Sequence, residues 1–151
     1  MIDEATMQII YQLTLAAVLG MLIGFEREWR GKPAGLRTYM LVAFGAALFT
    51  VMSSASLAGD LGRSSFDPSR IASQVVVGIG FIGGGLIVLK GDRMEGLTTA
   101  AGLWVTAAIG MAAGFGFNVV AIYSTFLVLF VLWALRVLED QIHKAQVKNV
   151  R

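Results

Sequence analysis

Charged side chains are missing from four long stretches of the chain: Ala5 to Phe25, Thr38 to Gly59, Ile71 to Leu89 and Gly96 to Leu135. Inside them apolar residues cover every face instead of alternating with polar ones, as in Val75 to Leu89 and Phe126 to Leu135. Alternation is what a barrel strand needs, so the pattern predicts helices. About 20 helical residues, rising about 1.5 Å each, match a hydrocarbon core about 30 Å thick, where the backbone must bond within its own segment. Each of the first three stretches therefore predicts one span. As a single helix the fourth would be about 60 Å long, roughly twice that thickness. It is expected to fold back at Gly114-Phe115-Gly116-Phe117-Asn118, where two glycines and an asparagine offer the backbone angles of a tight reversal. The predicted fold is all-α: a polytopic transmembrane helix bundle of about five spans, near 5–25, 38–58, 71–89, 97–114 and 118–135, with a tail over 136–151. In that tail Leu135, Leu138, Ile142 and Ala145 form one stripe, with Glu139, Asp140, His143 and Lys144 elsewhere. This predicts an amphipathic continuation of the fifth helix, an interfacial anchor in preference to a partner surface.

Composition strengthens the membrane reading. Of 151 residues 56% are hydrophobic and 15% charged, well off the soluble balance. A formal charge of +2 does not suggest nucleic-acid binding. The placement of the basic residues is more informative. With the N-terminus outside, the expected cytoplasmic segments hold four, two and four Lys or Arg, and the external ones two. The positive-inside rule prefers this orientation, which puts the C-terminus in the cytoplasm. Asp3 and Glu4 before the first apolar run, and the absence of a small-residue cleavage pattern after it, lead us to expect that the first span is retained. With no cysteine and one histidine, His143, no catalytic set, cofactor site or metal site is expected, and the chain is not expected to be an enzyme.

Gly78-Ile79-Gly80-Phe81-Ile82-Gly83 fits the dinucleotide fingerprint, but it lies inside an uncharged run with no βαβ context. Glycines at this depth let helices approach closely, and the spacing Gly-xxx-Gly occurs at Gly20 and Gly24, Gly80 and Gly84, and Gly110 and Gly114. Spans one, three and four are each expected to own such a packing face. The alternative is that Gly83-Gly84-Gly85 breaks the third helix and exposes carbonyls, as in transporters. No ionisable residue lies deep in a span; Gln8, Gln12, Ser53, Ser54, Ser56, Gln74, Thr98, Thr99 and Thr106 do, with interhelical hydrogen bonds as their default role. At the rim, Glu26, Arg27, Glu28, Arg30, Lys32 and Arg37 gather six charges beside Trp29, suited to anionic headgroups. Glu26 and Arg27 abut the first span and Arg37 the second, so an ion pair joining the two helices is feasible. Arg70, one turn before Gln74, could face a shared polar pocket.

Four ordered blocks make the chain similar to one family. They are Gly20-Met-Leu-Ile-Gly-Phe-Glu-Arg-Glu28, Lys32-Pro-Ala-Gly-Leu-Arg-Thr38, Arg70-Ile-Ala-Ser-Gln-Val-Val-Val-Gly-Ile-Gly-Phe-Ile-Gly83 and Gly96-Leu-Thr-Thr-Ala-Ala101. Over roughly Gly20 to Gly116 the chain resembles the MgtC/SapB family. The resemblance implies a bacterial inner-membrane protein tied to magnesium limitation and acid tolerance, with the family's motif charges at Glu26, Arg27, Arg37 and Arg70. It departs at Tyr39, where the family commonly has histidine, and at Gly84 and Gly102, where bulkier residues are expected. A tail of 16 residues after Leu135 suggests the shorter, SapB-like form without the soluble C-terminal domain. The expected function is regulation by contact, through self-association or another membrane complex in the lipid bilayer. An oligomeric cation transporter or channel for Mg2+ is the alternative.

Overall fold

In a computed structural model, residues 3–58 and 68–149 are described. Five helices and one hairpin follow in order: α1 (Glu4–Trp29), α2 (Leu36–Ala58), α3 (Pro68–Gly84), β1 (Val88–Lys90), β2 (Arg93–Glu95), α4 (Leu97–Gly114) and α5 (Asn118–Asn149). The fold is all-α, as predicted. Among the described residues α1, α2, α4 and α5 contain segments long and apolar enough to cross a membrane. The uncharged stretch 96–135 is two helices, and Gly116 at their junction has φ +83°.

Three helices, α1, α2 and α4, form the centre; α3 lies against α4 and α2, and α5 against α4 and α1. Small residues set the spacing. A Cβ on Gly20 would lie 2.6 Å from the Tyr39 carbonyl oxygen, and one on Gly24 would lie 2.7 Å from Leu36 Cα. From the other side, a Cβ on Gly110 would lie 2.2 Å from the Ala43 carbonyl oxygen and one on Gly114 2.7 Å from that of Ala47. Both glycine pairs thus close on one ridge of α2, Tyr39–Ala43–Ala47, whose members recur every four residues on one face. Leu19, Ile23, Leu103 and Ile109 fill the space between, all buried. On α5 only Ala121 and Thr125 are buried among the described side chains, as suits a helix that is apolar all round and borders lipid.

The third stretch departs from expectation. Its helix stops at Gly84 rather than continuing to Leu89, so at 17 residues, about 25 Å, α3 is shorter than a full span. After Gly83-Gly84-Gly85 the amides of Leu86 and Ile87 turn to carbonyls three residues back, those of Gly83 and Gly84, and the helix unwinds. Leu89 pairs with Met94 and Lys90 with Arg93 across a two-residue turn in which Gly91 takes φ +63°. The hairpin leads to Gly96, the N-cap of α4, at φ +92°. The helix thus ends within the glycine run Gly83-Gly84-Gly85, the position of the break set beside glycine packing.

The side chains from Ile142 onward that would carry the stripe of the tail lie outside the described residues, although α5 itself continues unbroken to Asn149.

Candidate functional site

The charged rim is an ordered cluster at the end of α1. Arg27 is 4% exposed, and its Nε donates to Glu26 Oε2. Arg30 Nε donates to the other oxygen of the same carboxylate at 3.0 Å. One half-buried carboxylate therefore serves two guanidiniums on adjacent turns of one helix, which keeps the Arg27 charge compensated where water is scarce. The chain then reverses. Gly31 has φ +63°, Ala34 is buried, and the Lys32 amide donates to the Arg27 carbonyl at 3.0 Å.

Contact between the first two helices is made by Glu28 and not by the ion pair to Arg37 that the sequence suggests. Glu28 Oε2 accepts from the Leu36 amide at 2.8 Å, capping α2. A Cβ on Gly35 would lie 2.7 Å from that same oxygen, so glycine is what lets the carboxylate reach. Glu26 is already occupied, and among the described residues Arg37 has no ion-pair partner. Lys32 and Arg37 are exposed. Four cations against two carboxylates leave the rim positive, and Trp29 is exposed beside it, tilted against Phe25.

One residue not predicted to matter joins the rim to the core. Tyr39 is fully buried and within electrostatic reach of Arg27 and Glu26; its hydroxyl donates to the Thr99 carbonyl in the first turn of α4 at 3.2 Å. A Cβ on Gly102 would come within 2.6 Å of that hydroxyl. Two of the three departures from the expected family pattern, Tyr39 and Gly102, therefore touch each other. Of the neighbouring threonines, Thr99 is buried and Thr98 is exposed.

A groove of about 800 Å³ opens between α2 and α3, with Arg37 and Thr38 at one end, Gln74 and Ile71 toward the other, and Ala107 of α4 in its wall. Arg70 and Gln74 are both exposed, and of the two Gln74 lines this groove. At the opposite end of the bundle a cavity of about 270 Å³ is lined by Gln8, Gln12 and Ser54.

For Thr106 and Ser54 the expected interhelical bonds give way to local ones. Thr106 donates to Gly102 O, and Ser54 to Thr50 O, each four residues back on its own helix. A hydroxyl that can reach its own preceding turn does not require a neighbour. The packing face expected from Gly80 and Gly84 is likewise absent inside the chain: a Cβ on either would meet nothing within 4 Å. The glycine of α3 that meets α4 is Gly83, against Ala100.

The MgtC family model matches residues 13–141. The chain is 49% identical over 129 residues to the putative magnesium transporter YhiD of Escherichia coli (strain K12), covering 84% of this chain and 60% of that protein. It is 47% identical over 120 residues to protein MgtC of Salmonella typhimurium, covering 80% of this chain and 49% of that one. The chain thus spans about half to three-fifths of the length of these relatives. No solved structure matches it. With the rim motif, the glycine-built core and a family match over most of the chain in agreement, this membrane protein belongs to the MgtC family.

Proposed function

We propose that the chain is a regulatory protein of the bacterial inner membrane that acts by contact with another membrane complex, or with itself, in Mg2+ homeostasis or acid stress, and that it catalyses no covalent reaction. One observation carries this reading. Of the three Gly-xxx-Gly faces, two are consumed in the core, while the third faces away from the bundle, with Gly80 and Gly84 open and Phe81 86% exposed between them. Close-approach faces are how helices associate in lipid, where no hydrophobic drive favours protein over tails. The positive rim would fix which way a partner sits.

The rival, an oligomeric cation transporter or channel, is favoured by the name of the Escherichia coli relative. Gly80→Leu and Gly84→Leu are expected to abolish chemical crosslinking to a membrane partner, or to a second copy, while helix content is unchanged. Purified chain in liposomes is expected to leave Mg2+, K+ and H+ gradients intact. Saturable flux reduced by Gln74→Ala or Arg70→Ala, or crosslinks that survive both leucine substitutions, would give the site to the rival reading.

A further inference from the structure

We propose that the groove between α2 and α3 is a binding site for a single anionic phospholipid, with an acyl chain along the groove and the phosphate on Arg37. The walls are apolar: Leu41, Ala46 and Phe49 from α2, Val75, Gly78 and Ile82 from α3. From Arg37 to Phe49 the helix rises about 18 Å, close to the about 15 Å of hydrocarbon in one leaflet. A groove that begins at the charged rim and runs one leaflet deep has the dimensions of a lipid tail.

Charge selects the headgroup. Arg37 stands at the mouth beside Thr38, exposed and without an ion-pair partner among the described residues, because Glu26 serves Arg27 and Arg30 and Glu28 caps α2. A guanidinium held at an interface matches a phosphate in shape and charge. Missing side chains keep the groove open. Gly45 and Gly78 both line it, and a Cβ on either would meet nothing within 4 Å.

This site does not depend on the regulatory reading. At 3.6 residues per turn Gly78 and Ile82 on the groove face of α3 lie nearly half a turn from Gly80 and Gly84, so each pair can be altered without the other.

The test is native mass spectrometry of the full chain released from nanodiscs of equimolar phosphatidylglycerol and phosphatidylcholine. Wild type is expected to retain one phosphatidylglycerol per chain. Arg37→Gln should lower the retained ratio of phosphatidylglycerol to phosphatidylcholine about fivefold, the size of effect of one interfacial cation. Gly78→Leu and Gly45→Leu fill the groove from opposite walls and should lose the lipid whatever its headgroup; helical circular dichroism checks that each still folds. Arg70→Gln, which removes an exposed cation outside the groove, should leave retention unchanged. The proposal is overturned if wild type retains no lipid or if both leucine variants retain it. It also fails if Arg70→Gln and not Arg37→Gln removes the headgroup preference, or if filling the groove breaks self-association and leaves bound lipid unaltered, which would give the groove to a second copy.

Discussion

In α4, Gly110 and Gly114 each lie so close to the backbone of α2 that an added methyl would fall within 2.7 Å of a carbonyl oxygen. In α3, which packs beside it, Gly80 and Gly84 have the same spacing and open space around them. Half of α4 is buried in the bundle, whereas between Arg70 and Gly84 only Ile79 and Gly83 are buried. The difference teaches that spacing alone does not assign a role to a membrane glycine. What decides is whether the facing helix has its own small residues to receive it, as Ala43 and Ala47 do on α2.

The hardest test of this contrast is Gly110→Ala. Its methyl would meet backbone, which cannot rotate away, so a loss of about 3 kcal/mol or more is expected in detergent-driven unfolding. Stability unchanged by this substitution would remove the basis for calling α1, α2 and α4 the core.

A smaller effect sharpens the comparison within α4. Gly102→Ala drives its methyl into the Tyr39 hydroxyl and is expected to cost about 2 kcal/mol. In a Tyr39→His background, where the shorter side chain withdraws, the same change should be nearly neutral, giving a coupling of about 1 kcal/mol or more in a double-mutant cycle. Additive effects would mean that the two positions do not touch.

The smallest effect belongs to α3. Gly80→Ala meets nothing and improves helix propensity, so the isolated chain should change by less than about 1 kcal/mol, toward greater stability. A marked loss in the isolated chain would mean that this face already packs against something within one copy.

The apolar runs made the helices legible in the sequence, and length together with two glycines and an asparagine made the break between α4 and α5 legible. The early end of α3 was harder to see. Leu86-Ile87-Val88-Leu89 is as apolar as the helix before it, and hydrophobicity does not tell a short strand from a membrane helix. The signal was Gly91-Asp92 between two short runs, a two-residue hairpin connection. The rim was legible as a cluster but not as a wiring diagram. Which carboxylate meets which cation depends on helical phase and on a loop that brings Gly35 under Glu28. Tyr39 was noticed only as a departure from the family, because no property of one tyrosine in sequence shows that Gly102 lies across from it.

That contact also constrains the order in which the two residues could be acquired. Glycine at 102 opposite a shorter side chain leaves only a small void, a change costing on the order of 1 kcal/mol. Tyrosine at 39 opposite a larger residue places its hydroxyl 2.6 Å from a methyl. One mutational route therefore runs downhill through a tolerable intermediate and the other through a strained one, so a lineage carrying tyrosine at 39 is expected to have passed through glycine at 102 first.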